Sequence, residues 1–225
     1  MKHKVTIKTD RIIFFVLMIF VLFYRMKGDF PFQVDWYREK LISIPLIIIS
    51  IMIHKIIQNL TAHQLGDMEL KINSQKIWNP LYMIDWIGFL PFVVYYFGWA
   101  NPTNSLKAIS GNRWWNRVRI IMSGILANLL IAIVFRWLHY SAEILSLTLS
   151  AYMNVFATIN MNYFLFSLLP FPPLDGWLLY KALKKSKVKI IMDEKYGYSL
   201  ILVLFLINFP NSVLLPVSKF LLSWI

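Results

Sequence analysis

Four residues of this 225-residue chain could do chemistry together: His54, Lys55, Gln58 and Asp175. Three of them interrupt one apolar run, Ile47-Ile48-Ile49-Ser50-Ile51-Met52-Ile53-His54-Lys55-Ile56-Ile57-Gln58. On a helix, positions i and i+4 share a face, about 40° apart, and i+1 stands about 100° away. That is the geometry of H-E-x-x-H, in which two histidines hold Zn²⁺ and the glutamate acts as general base on the bound water. Here the five positions read H-K-I-I-Q. An ionisable group inside hydrocarbon costs about 2.5–3.5 kcal/mol even on lenient scales, so each such residue is a functional candidate. The chain has no cysteine, which leaves any metal chemistry to His, Asp and Glu and excludes disulfides and a thiol nucleophile.

The elements that must position these residues are helices in a membrane. With 58% apolar and 15% charged residues and a mean hydropathy of +0.58, the chain has more apolar surface than a core of its own could cover. Its net charge of +12 is scattered between apolar runs, which marks topology and not nucleic-acid binding. The runs are Arg11–Tyr24, Leu41–Ala62, Leu81–Trp99, Val118–Tyr140, about Ile144–Leu169 and about Tyr198–Leu222. The lysine- and arginine-bearing stretches 1–11, 65–80, 101–119 and 181–195 are placed on the cytoplasmic side. Both flanks of 81–99 are then inside, and so short a segment cannot cross twice at about 1.5 Å per residue. It is expected to re-enter, broken by Gly88 and Pro91; the alternative is that it spans and the charge rule fails for one loop. On either reading His54 and Asp175 come to the same leaflet.

Residues 168–176, Leu-Leu-Pro-Phe-Pro-Pro-Leu-Asp-Gly, resemble the L-P-x-P-P-L-D-G motif of the site-2 protease family, the intramembrane zinc metalloproteases. Leu65-Gly66-Asp67, Asn79-Pro80-Leu81 with Ile84-Asp85, Phe97-Gly98-Trp99-Ala100 with Pro102, and Ser123-Gly124-Ile125-Leu126-Ala127-Asn128 are similar, in order, to segments of its small bacterial branch. The resemblance implies zinc ligands at His54 and Asp175, with Gln58 in place of the second histidine and Lys55 in place of the catalytic glutamate. It also implies motif roles for Asn128, Pro170, Pro172, Pro173 and Gly176. Asn160 and Ser167 lie in the asparagine-containing part of the Asp-Gly helix, with Ser167 where asparagine is usual. A neutral amide is a poor zinc ligand, and a protonated lysine cannot take a proton from water. An intramembrane ion pair of Lys55 with Asp175 is expected to fill the metal's place; the alternative is that Lys55 snorkels to the interface.

The expected fold is therefore an all-α integral membrane protein with five to six transmembrane helices and one re-entrant segment. Its divisions are an N-terminal anchor and loop (1–40), a site-2-protease-like core (41–184) and a C-terminal helix (185–225). The expected function is a catalytically degenerate homologue, without cofactor, that binds a transmembrane segment of another protein and does not cleave it. The alternatives are an active zinc metalloprotease with a non-standard third ligand, and a small carrier with Lys55 and Asp175 lining a polar path. The expected setting is the bilayer of a cell membrane, crossed several times, with a cytoplasmic N-terminus. His63 reads as a loop histidine and His139 with Glu143 as a solvated interfacial pair. Arg136, Trp137 and Tyr140 read as an interfacial belt, and Trp114-Trp115 with Arg113, Arg117 and Arg119 as a surface segment in anionic headgroups.

Overall fold

A computed structural model describes residues 2–26, 34–66, 78–102, 114–144, 146–183 and 194–225. Asp67 and Arg113, and much of the basic stretches 65–80, 101–119 and 181–195, lie outside the described residues. The regular elements of the described residues are helices: α1 (Lys2–Met26), α2 (Val34–Gln64), α3 (Pro80–Met83), α4 (Trp86–Tyr95), α5 (Trp114–Glu143), α6 (Leu147–Ser167), α7 (Asp175–Leu183), α8 (Glu194–Leu206) and α9 (Leu215–Ser223), with a π-helical turn at Pro210–Leu214.

The centre is built from α2, α5 and α6, with α7 laid against α5. Only a short link joins α5 to α6, which forces them antiparallel. Ser146 caps α6 by accepting from Leu149 N–H. Along α2, Ile47, Ile51, His54 and Gln58 recur at i, i+4, i+7 and i+11 and are all fully buried. One buried stripe of that helix thus passes from apolar to polar without leaving the core. At the periphery α1 packs on α8 and α4.

Two helical stretches, Glu39–Gln64 and Trp114–Glu143, are long and apolar enough to cross a membrane, or three if the bent pair Tyr196–Leu206 and Pro210–Ser223 is one span. The expected five to six crossings are not established on that measure. The reasons are local: α6 is 21 residues long but carries Asn154, Asn160 and Asn162, and the apolar part of α1, Arg11–Tyr24, is short. The last run was expected as one helix. It is bent by 65° between α8 and the π-helical turn, with Asn208 in the left-handed region (φ 62°) just ahead of Pro210.

Residues 84–100 form a closed excursion. Ile84 and Ala100 pair through an antiparallel bridge at its base. Between them α4, about 15 Å long, leaves the base, Tyr96 turns the chain in the left-handed region (φ 61°), and residues 97–99 return to it. A helix of that length does not cross about 30 Å of hydrocarbon, so this segment turns back. Asp85 caps α4 by accepting from Ile87 N–H and also accepts from Trp99 Nε1 (3.1 Å) and Arg11 Nη2 (3.3 Å). The far end is held to α2 by Tyr96, whose hydroxyl donates to Glu39 (2.6 Å) while its ring lies under Lys40 Nζ at 3.7 Å.

Candidate functional site

Asp175 is the first residue of α7, where a carboxylate meets the positive end of the helix. Gly176 lets the chain fold there: a Cβ at that position would stand 2.3 Å from the Leu168 carbonyl oxygen. The loop between α6 and α7 therefore doubles back tightly, burying Pro172 and Pro173 while Pro170 stays exposed, and carries Asp175 to the polar stripe of α2.

The four candidate residues converge. His54 Nε2 lies 2.7 Å from Asp175 Oδ2, and Gln58 Nε2 donates to the same oxygen at 3.1 Å. Lys55 Nζ donates to Gln58 Oε1 at 2.9 Å, and its charge also acts on Asp175. Gln58 reaches the Ile121 carbonyl of α5 at 3.4 Å and lies flat on Gly124, where a Cβ would come within 2.6 Å of Gln58 Cγ. Asn128, one turn further along α5, holds the other ring nitrogen of His54, Nδ1, at 3.0 Å. The His54 ring stacks on Tyr163 of α6 with centroids 4.7 Å apart.

Lys55 is only 4% exposed, so its ammonium is turned inward and does not snorkel to the interface. The expected pairing with Asp175 takes a different form. The carboxylate is engaged directly by His54 and Gln58, and Lys55 adds its charge through a network that includes Gln58. Asn128 thus fixes the His54 ring from the side opposite Asp175, and the donor and acceptor roles in that contact follow the imidazole tautomer.

These residues do not fit a catalytic zinc ion. Two ligands of a tetrahedral zinc, each about 2.0–2.1 Å from the metal, stand about 3.3 Å apart. His54 Nε2 and Asp175 Oδ2 stand 2.7 Å apart, so the two would have to separate by about half an ångström to share a metal. A catalytic site also needs three good protein ligands. Here the third position is a neutral amide beside a cation, and among the described residues no group of three His, Cys, Asp or Glu is gathered.

A small pocket opens beside Asp175, walled by the return segment Trp99–Asn101, by Tyr163 and Ser167 of α6, and by Pro173 and Leu174. Ser167 is thus at the site, whereas Asn160 turns back to donate to the Phe156 carbonyl of its own helix. Nothing in the spacing of the sequence marks Tyr163 as a neighbour of His54, because the contact joins two helices over a long separation. The remaining candidates lie elsewhere. His63 is in the last turn of α2 and not in a loop, because the helix continues to Gln64. His139 approaches Glu143 at 3.6 Å, as a partly exposed pair, and in addition contacts Ser150 Oγ at 2.6 Å. Arg136 bonds the Leu222 carbonyl and Asn154 and so fastens α9 to the α5–α6 pair.

No protein-family model matches the chain, and no solved structure matches it. A protein of Bacillus subtilis (strain 168) named "Putative zinc metalloprotease YwhC" is 29% identical over 180 residues, covering 76% of this chain and 82% of that relative. The chain is similar over most of its length to a protein named as a zinc metalloprotease, which supports the site-2 protease resemblance carried by its motifs.

Proposed function

We propose that this protein is a catalytically degenerate member of the small bacterial branch of site-2 proteases, set in the cell membrane with a cytoplasmic N-terminus. In this reading it binds a membrane-embedded segment of another protein in the inherited cleft and does not cleave it. The observation that carries the proposal is that Lys55 and Gln58, buried beside His54 and Asp175 at the base and third-ligand positions, are hydrogen-bonded to each other at 2.9 Å. Asn128 holds the other nitrogen of the His54 ring at 3.0 Å, as a partner behind a metal-binding histidine would. What is lost is the third ligand and the base: Gln58 is neutral, and protonated Lys55 has no lone pair for a water proton.

A second reading, an active metalloprotease with a third ligand outside the described residues, is favoured by the name of the relative. Metal analysis of purified full-length protein separates the two. The degenerate reading expects less than about a tenth of an equivalent of zinc, unchanged by His54→Ala. Stoichiometric zinc that disappears in His54→Ala would overturn it.

A further inference from the structure

We infer that His139 and Glu143 form an exchangeable site for a divalent transition-metal cation, of which Zn²⁺ is the test ion, at the end of α5 remote from Asp175. His139 stands about 16 Å further along α5 than Asn128, so this site does not depend on the binding reading above. Its imidazole is held as a metal ligand is held. Nδ1 lies 3.0 Å from the Ser150 carbonyl oxygen and 2.6 Å from Ser150 Oγ, both on α6. A carbonyl can only accept, so the tautomer that suits both oxygens carries its proton on Nδ1 and leaves a lone pair on Nε2. A backbone carbonyl behind one ring nitrogen is the usual support of a metal-binding histidine, because it fixes the ring and raises the basicity of the other nitrogen. Nε2 lies 3.6 Å from Glu143 Oε1. That is too far for a hydrogen bond and near the separation of about 3.3 Å at which two ligands share a tetrahedral zinc.

The surroundings favour a cation. Glu143 ends α5, where the helix dipole is negative, and the last turn carries no basic side chain. Arg136, one turn before His139, is bound to the Leu222 carbonyl and to Asn154. The His139 side chain is 15% exposed and that of Glu143 52%, so water reaches the pair and can fill the remaining coordination positions. An imidazole with a carboxylate suits zinc, nickel or copper, whereas magnesium and calcium take oxygen ligands. With two protein ligands in place of the three or four of a resident zinc site, the ion exchanges freely. Treatment with a chelator therefore removes it, and it does not enter the zinc content of protein prepared in that way.

The test is calorimetric titration of zinc chloride, with magnesium chloride in parallel, into chelator-treated and desalted full-length protein in dodecyl maltoside micelles. The wild type is expected to take up about one equivalent of zinc and no magnesium. His139→Ala is expected to abolish the uptake. Glu143→Gln, at a side chain more than half exposed, is expected to weaken it about tenfold or more, since a neutral amide is a poor zinc ligand. His54→Ala is expected to leave it unchanged. A wild type that takes up no zinc at millimolar concentration would overturn the inference, as would uptake that survives both His139→Ala and Glu143→Gln, or equal uptake of magnesium. Each of those results leaves the degenerate reading of the His54 site standing. Uptake lost in His54→Ala and kept in His139→Ala would instead place the ion at His54 and overturn both.

Discussion

Asp85 and Asp175 are both carboxylates shut into the same apolar body, with side-chain exposures of 5% and 12%, and their partners differ in kind. Asp85 is engaged from three directions: Arg11 of α1, the α4 backbone at Ile87, and Trp99 on the return segment. Its counter-charge is an arginine that is 44% exposed and keeps part of its guanidinium near the surface. Asp175 instead faces a single turn of α2, where positions 54, 55 and 58 supply an imidazole, an ammonium and an amide. The first carboxylate stitches segments together, and its partners are set by the path of the chain. The second meets whatever side chains one helical turn carries, so its chemistry can change by substitution while the backbone stays put.

The largest expected effect restores the implied donor set on that turn. Lys55→Glu combined with Gln58→His should bring bound zinc to about one per chain, read by metal analysis of the purified variant. A double variant that stays free of zinc would mean that the turn is no longer a metal scaffold, and the contrast with Asp85 would lose its basis. Next is the charge balance. Lys55→Ala leaves the Asp175 carboxylate without its cation and should cost about 3–5 kcal/mol. Adding Asp175→Ala should recover a large part of that loss in a denaturation cycle; no recovery would show that Lys55 acts by packing alone.

A smaller effect is expected at the stitched carboxylate. Asp85→Ala removes the α4 cap and the Trp99 bond and should cost about 2 kcal/mol. Arg11→Ala should cost about 1 kcal/mol or less, since the arginine is nearly half exposed. An Arg11 effect as large as that of Lys55 would erase the distinction between the two carboxylates. The smallest change is expected for Glu143→Gln at the partly exposed His139 pair, within about 0.5 kcal/mol in the same assay.

The His54–Gln58 spacing and the Leu-Asp-Gly motif were enough to expect convergence of those residues with Asp175, because helical period and motif order survive in a linear string. The form of the network was less legible. The string suggests a direct Lys55–Asp175 bond, yet His54 and Gln58 take the carboxylate oxygen. Which of three neighbouring polar groups reaches an acid depends on side-chain direction to within an ångström, and no sequence period encodes that. Tyr163 and the Arg11–Asp85–Trp99 cluster were missed because each joins residues from separate elements with no shared pattern. The single C-terminal span was expected because hydropathy averages over Asn208 and Pro210, which in three dimensions bend the chain by 65°.

By itself the sequence determined that this is an apolar, helical, cysteine-free chain with one helical turn of ionisable and polar residues where the motif it resembles has H-E-x-x-H. Those properties are additive along the chain: hydropathy, charge and spacing need no fold to be read. Only the tertiary structure decided that His54 closes on Asp175 and that Lys55 turns inward to Gln58. It alone showed that the Tyr163 ring on α6 stacks on His54. These depend on which helices touch, through glycines at 124 and 176 that permit the approach, and on where hydrogen-bonding atoms fall once desolvation forces each buried polar group to find another.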